Sequence, residues 1–417
     1  MENGNDHSRK ILVVADGDSR INWASSLANV VSEKLSKNYE WRVEIVSCDV
    51  GSAIDRFLLG NETNIYCYGI VILGFGGGAN LKFTDSFFRL CQKEKKKSRP
   101  ILVAGFNGIC DPADPHPLLC RSGADLILVN SQVDFLSFKK WFSILNVPGQ
   151  DRLILLGYSS DFTGIVEPDL KLSVSSRRQD ESEAKRNIVF FAQPTVPSTL
   201  KERLYILQEL KKIALLKPSW NVVVKPRSLL YEKGITHSER YYYQNIYKYL
   251  IGNAPSNFYF SQMPVDLLLD DADLCITVGS TVAITAIQRE IPTLVISDFG
   301  IRREYGNHHF AGSGFLGPLR SITSHDFQFN RVDWWVARNI SQSRDGMAEF
   351  VTKLEQLIAK QCSEGSAMKA QESAYSAWGC GYVSDLKSRP KISIWQRFSY
   401  FIKVAVVGFL AKFIIFR

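Results

Sequence analysis

Short apolar runs alternate with helix-spaced segments along most of this chain, and that rhythm restricts the fold more than any single residue does. Residues 11–15, 70–73, 101–104 and 126–129 are runs of Ile, Leu, Val and Ala. Residues 41–47 alternate as a half-buried strand does, while 22–35, 84–93 and 135–145 carry helical spacing. Strands that are apolar throughout are covered on both faces, so the pattern predicts an α/β fold with parallel sheets. Residues 167–186 break the rhythm with Ser and charge and read as a linker. It then resumes with predicted strands at 188–192, 220–224, 258–260 and 292–297, and predicted helices at 200–216, 241–250 and 347–360. A chain of 417 residues exceeds one ordinary core. The expected division is a Rossmann-like domain at 1–166, the linker at 167–186, and a second such domain at 187–362.

Composition excludes several classes. A hydrophobic content of 45% belongs to a globular protein. The eight cysteines form no Cys-x-x-Cys pair, which points to reduced thiols and no zinc site. Residues 1–10 are polar, with no apolar core of a signal peptide, so the expected location is cytoplasmic. The net charge of +8 is concentrated at the end: Lys387, Arg389, Lys391, Arg397, Lys403, Lys412 and Arg417 follow Leu386 with no acid among them. The rest is near neutral, which argues against a nucleic-acid partner.

Chemistry is expected where strands end, because open α/β sheets bind ligands at their carboxyl edges. Residues 276–287 read as a strand turning at Gly279-Ser280-Thr281 straight into a helix. Free N–H groups, the helix dipole and two hydroxyls there suit a phosphate, although Ser280 and Thr281 can equally cap the helix. The next strand ends at Asp298. Gln193 and Thr195 close the first strand of the second unit, and Lys225-Pro226-Arg227 closes its second. The two cations make an anion site if they face the cleft, or a solvated loop if they do not. His237 is either a donor to a leaving phosphate or a loop residue. Asp16 and Asp18 follow the first strand; one can serve as a general base, or both can belong to a polar turn. Gly76-Gly77-Gly78 follows the third strand as a weak Gly-x-Gly-x-x-Ala match that fits neither a dinucleotide fingerprint nor a P-loop. That loop and Asn107 are expected on the acceptor side. His308-His309, after Arg302-Arg303, either shape the donor site or do nothing chemical.

Taken together, Asp16-Gly17-Asp18-Ser19 with Trp23, the 193–198 loop with Glu202-Arg203, Lys225-Pro226-Arg227-Ser228, Thr236-His237, Thr277 to Thr281 and Ser297 to Gly300 resemble a poorly characterised family of bacterial glycosyltransferases of the GT-B type. The Lys-Pro and Gly-Ser-Thr pair resembles, more distantly, the His-Pro and Ser-Ser/Thr motifs of bacterial sialyltransferases and Kdo transferases, which use CMP-activated sugars and invert the anomeric centre. The resemblance implies Asp18 or Asp16 as base, Lys225 in the place of the assisting His, and Ser280 and Thr281 on the phosphate. Lys in place of His implies charge stabilisation rather than acid assistance. No metal and no cofactor are expected. The implied partners are a nucleotide-sugar donor and a glycan or lipid-linked acceptor of the cell envelope. The rival readings are a sugar-nucleotide 2-epimerase of the same fold and a non-catalytic envelope-assembly protein.

The end of the chain adds a membrane expectation. Residues 391–417 are aromatic, aliphatic and basic, but Lys403 and Lys412 interrupt them, which suits an amphipathic segment lying at an anionic surface. Residues 363–390 would be the flexible tether. The expected location is peripheral, on the inner face of the cell membrane.

Overall fold

The computed structural model describes residues 10–36, 40–47, 54, 57–58, 64–93, 99–144, 149–158, 186–227, 239–253, 255–323, 330–340 and 345–363. They form two parallel sheets of six strands. The first contains β1 (Lys10–Ala15), β2 (Arg42–Ser47), β3 (Ile70–Gly74), β4 (Ile101–Ala104), β5 (Leu126–Val129) and β6 (Leu153–Leu155), in the order β2-β1-β3-β4-β5-β6. Its helices are α1 (Asp18–Leu35), α2 (Gly77–Lys93), α3 (His116–Leu119) and α4 (Gln132–Ile144). The second sheet contains β7 (Arg186–Phe191), β8 (Trp220–Lys225), β9 (Phe258–Phe260), β10 (Leu274–Thr277), β11 (Thr293–Ile296) and β12 (Leu316–Gly317), in the order β12-β11-β10-β7-β8-β9. With it come α5 (Leu200–Leu216), α6 (Tyr243–Ile246), α7 (Val265–Asp270), α8 (Val282–Gln288), α9 (Asp333–Asn339) and α10 (Gly346–Ser363).

The apolar runs become strands because both of their faces are covered. In β1, Ile11, Val13 and Ala15 face Trp23, Leu27 and Val31 of α1. Leu12 and Val14 face the opposite layer, where Phe83 and Phe87 of α2 meet Phe138 and Phe142 of α4. The two-residue period of a strand thus feeds two separate cores. The second sheet repeats the plan: Phe190, Val222 and Ile276 pack on Leu207 and Leu210 of α5, while Val189, Val223 and Cys275 pack on Val282 and Ala286 of α8. Trp23 is a core residue. Its ring lies so close to Gly105 that a Cβ there would approach it to 2.6 Å, which seats α1 directly against the end of β4.

The structure differs from the sequence reading in three places. Helix α2 starts at Gly77, so the glycine loop is itself the helix start. The short strands β6 and β12 and the helices α3, α7 and α9 join the fold. Helix α10, grouped by sequence with the second unit, packs on the first. Its Phe350 and Leu354 enter the core beside Ile11 and Ile154. Lys353 Nζ donates to the carbonyl of Asp151 at 3.0 Å, and Gln361 Nε2 to that of Arg99 at 2.6 Å. An apolar helical stripe records that a helix is buried, not which sheet it covers. The chain therefore returns to its first sheet. Among the described residues no helix is long and apolar enough to cross a membrane. Residues 391–417, all but one residue of the linker at 167–186, and all but Ser363 of the tether at 363–390 lie outside the described residues.

Candidate active site

Five loops at strand carboxyl ends and the first turn of α1 surround one cavity of about 530 Å³. The first half contributes Ser19, Arg20, Gly108, Ile109, Cys110, Asp111 and Asp114. The second contributes Ala192, Gln193, Pro194, Arg227, Gly279, Ser280, Thr281, Arg303, Gly306 and His308.

On the second half, the loops after β7 and β10 are tied together. Thr277 Oγ1 donates to the carbonyl of Phe191 at 3.1 Å, and the Gly279 N–H donates to Gln193 Oε1 at 2.9 Å. A Cβ on Gly279 would lie 2.2 Å from the Tyr305 carbonyl oxygen, so only glycine lets this turn touch the loop after β11. Ser280 Oγ accepts the Val282 N–H at 3.3 Å and so caps α8, whereas the exposed Thr281 side chain makes no capping bond.

Behind the Gln193 loop, Arg203 of α5 is almost fully buried. Its Nε donates to the Pro197 carbonyl at 2.7 Å and its Nη2 to that of Pro194 at 2.6 Å, while Nη1 pairs with Glu239. Thr199 caps α5: its Oγ1 accepts the Glu202 N–H at 3.2 Å and donates to Glu202 Oε2 at 2.6 Å. The Glu202-Arg203 motif therefore shapes the cavity wall from behind.

The remaining second-half candidates diverge. Arg227 is exposed and lines the cavity. Lys225 at the end of β8 and the exposed Thr195 are not part of the lining. Asp298 is engaged inside its own half, where its carboxylate accepts from Tyr205 Oη at 2.6 Å and from the Leu319 N–H at 2.8 Å. His237 lies outside the described residues.

On the first half, Asp16 is buried at the end of β1, with Oδ1 2.8 Å from Arg20 Nη1. Gly76 makes room for that arginine, since a Cβ there would stand 3.2 Å from Arg20 Nη2. Asp18 opens α1, exposed and outside the lining. Asn107 Nδ2 donates to Ser19 Oγ at 3.3 Å at the rim. Gly77 faces Cys120 and His116, and a Cβ at Gly78 would meet open space; neither lines the cavity.

The sequence reading did not single out Arg20, Cys110, Asp111 or Asp114. The last three stand in a Pro- and Asp-rich loop after β4, and that position at a strand end was the available signal. Asp111 Oδ2 lies 2.6 Å from Arg303 Nε and 3.5 Å from His308 Nε2, and Asp114 Oδ2 lies 3.5 Å from Arg303 Nη2. These contacts cross the cavity from one half to the other. The first-half loops are held from behind by buried Arg121, which donates to the carbonyls of Gly105, Pro117 and Phe75 at 2.7, 2.9 and 3.1 Å. Burial pulls its guanidinium down to about 10. Burial also pushes the Cys110 thiol well above its ordinary range, which keeps it a neutral wall residue.

The chain is similar to known proteins at two levels. A family model described as "Putative glycosyltransferase (DUF6716)" matches residues 68–357. Among solved structures, the wall teichoic acid polymerase TagF in a CDPG-soaked variant is 14% identical over 86% of this chain and 91% of that one, with a TM-score of 0.50. A structure titled "putative UDP-N-acetylglucosamine 2-epimerase", from Listeria monocytogenes, is 11% identical over 93% of this chain and 99% of its own, with a TM-score of 0.48. No curated protein matches at the level of sequence. The two six-stranded parallel sheets have the GT-B arrangement. With its model covering most of the chain, this protein belongs to the Putative glycosyltransferase (DUF6716) family.

Proposed function

We propose that the chain transfers a sugar from a nucleotide-sugar, bound at the strand ends of the second sheet, to a hydroxyl of a cell-envelope glycan or lipid-linked acceptor held against the first. The observation that carries this reading is the division of charge across one cavity, with Arg20, the cation that lines the first half, taken up by Asp16. Arg227, Arg303 and the Gly279-Ser280-Thr281 turn stand on one side, and the carboxylates of Asp111 and Asp114 on the other. A leaving phosphate is stabilised by cations and backbone N–H groups. An attacking hydroxyl needs a proton acceptor on the opposite side. The distant resemblance to the inverting CMP-sugar transferases supports a single displacement with inversion, in which the protein's part is to take the hydroxyl proton and hold the leaving phosphate, without a metal. A CMP-activated sugar is one candidate donor. In this reading Ser280 and Thr281 contact the phosphate, and residues 391–417 rest on the anionic inner face of the membrane near the acceptor.

The test is to incubate the purified full chain with CMP-, UDP-, GDP- and dTDP-sugars and follow nucleotide release with and without envelope lipid extracts. Acceptor-stimulated release with one nucleotide is the expected result, and replacing Ser280 and Thr281 by Ala should weaken binding of that nucleotide at least about tenfold, the scale of losing a charge-assisted hydrogen bond. Acceptor-independent formation of a free epimerised sugar would assign the epimerase reaction. Cosedimentation with anionic vesicles, lost when residues 391–417 are removed, tests the membrane contact.

A further inference from the structure

We propose that Asp111 is the group that takes the acceptor's proton, and that the cross-cleft contact with Arg303 and His308 holds it unavailable until a donor phosphate draws Arg303 away. This rests on the transferase reading above. Among the described residues, Asp16, Asp18, Asp111, Asp114 and Asp134 follow carboxyl ends of the first sheet's strands, and Asp134 is buried in the first turn of α4 outside the cavity lining, where it takes the Ser131 hydroxyl. Asp16 is paired with Arg20, and Asp18 is exposed outside the cavity lining. Asp111 and Asp114 line the cavity, and of the two Asp111 is the more shielded and the closer to the second half.

Its geometry is fixed. Oδ1 accepts the Ala113 N–H at 2.9 Å, which leaves Oδ2 directed at Arg303 Nε, 2.6 Å away. The same loop presses on the phosphate turn, because a Cβ at Gly108 would stand 3.0 Å from Thr281 Cγ2. A proton acceptor on this loop and a leaving group on that turn are therefore neighbours.

The restraint is releasable. The Arg303 side chain is 59% exposed, so solvent screens its pairing with the carboxylate. A phosphate presents more charge and can take two parallel N–H bonds from one guanidinium. His308 Nε2 is 3.5 Å from the same Oδ2, while its Nδ1 is buried without a hydrogen-bond partner. The imidazole thus bridges the two halves through one nitrogen. In the step itself the acceptor O–H proton passes to Asp111 Oδ2, and the oxygen's electron pair forms the new bond to the anomeric carbon. The bond from that carbon to the phosphate oxygen breaks, and its pair leaves on the phosphate beside Arg303 and Arg227. Donor binding before acceptor activation follows directly, because the base is free only once Arg303 has moved.

Asp111→Asn is the decisive variant, since the amide oxygen still accepts from Ala113 and the loop keeps its turn. It is measured with Asp16→Asn, Asp18→Asn and Arg303→Gln in the full chain. Nucleotide affinity is read by titration with the nucleotide that the wild type binds, and turnover by release of that nucleotide from its sugar. The expected result for Asp111→Asn is turnover lower by about 100-fold or more with nucleotide affinity equal to or tighter than that of the wild type. Arg303→Gln is expected to lose affinity about tenfold. Turnover within threefold of the wild type in Asp111→Asn, or a larger turnover loss in Asp16→Asn or Asp18→Asn, overturns the assignment. So does a parallel loss of affinity and melting temperature in Asp111→Asn, which would mark a purely structural residue. A wild type that binds none of the nucleotides instead removes the donor-site reading itself, and the assignment falls with it.

Discussion

Among the described residues, each half of the molecule has one arginine–carboxylate pair with both side chains almost fully buried, and the two pairs sit at opposite ends of their sheets. Arg99 precedes β4 and Asp125 precedes β5, so this pair lies at the amino ends of strands. Its guanidinium forks onto the carboxylate at 2.6 and 2.8 Å, and the Leu102 N–H adds a third bond at 2.8 Å. Arg203 pairs with Glu239 at the carboxyl end of β7 and gives its other N–H groups to carbonyls of the loop that carries Gln193. The first pair staples strands; the second also builds a wall of the cavity. A buried ion pair is by itself weak evidence for stability, and what separates these two is where the remaining hydrogen bonds of their members go. In the first half, the cavity loops are braced by Arg121, with backbone carbonyls rather than a carboxylate as its partners.

This contrast can be broken by substitution. Arg99→Met and Arg203→Met each strand a buried carboxylate and should each cost about 3–5 kcal/mol of stability, read by denaturant unfolding. Only Arg203→Met should also weaken nucleotide binding, by about tenfold or more, because only it releases the Gln193–Gly279 clamp. Equal binding losses in the two variants would erase the distinction.

The halves should also respond to pH with opposite slopes. In the second, burial and the neighbouring His308 pull His309 down to about 4. The unfolded chain, with its His near 6.5, binds a proton in this window that the folded chain refuses. That stability is present above about pH 6.5 and is lost as pH falls toward 4. In the first half, burial raises Asp134 to about 6 although Ser131 donates to it. The folded chain holds a proton there that the unfolded chain releases, so this contribution is present below about pH 4 and is lost as pH rises through 6. Each amounts to a few kcal/mol at most. Unfolding free energies measured from pH 4 to 7.5 should show His309→Phe removing the acid-side loss and Asp134→Asn removing the alkaline-side loss. The smallest effect is expected from Arg303→Gln, whose exposed pairing should be worth under about 1 kcal/mol of stability. A larger drop in melting temperature would make the cross-cleft contact a structural lock rather than a releasable one.

The scaffold was legible because its signals are local. The runs 11–15 and 101–104 can be satisfied only by a doubly covered strand, and residues 200–216 became α5 with the bounds that their spacing set. The site was legible in part. Arg227, Gln193 and the Gly279-Ser280-Thr281 turn meet at the cavity, as strand-end position suggested. Asp298 occupies an equivalent position, yet its carboxylate is taken by Tyr205 and Leu319, which lie far from it in sequence. Asp111 was hidden for the converse reason. In sequence it reads as the first residue of an ordinary Asp-Pro turn, and its partner Arg303 comes from the other sheet. Which sheet α10 covers was equally invisible, since its stripe of Phe350 and Leu354 would suit either.

The most direct test of the account is titration of the full chain with CMP, CDP, UDP, GDP and dTDP, repeated with the Arg227→Ala/Arg303→Gln double variant. The account predicts that the wild type binds at least one of these nucleotides and that the double variant binds it at least about tenfold more weakly with an unchanged melting temperature, since removing two phosphate contacts costs more than one factor of ten in affinity. Equal affinity in the two proteins, or no binding to the wild type, would contradict it.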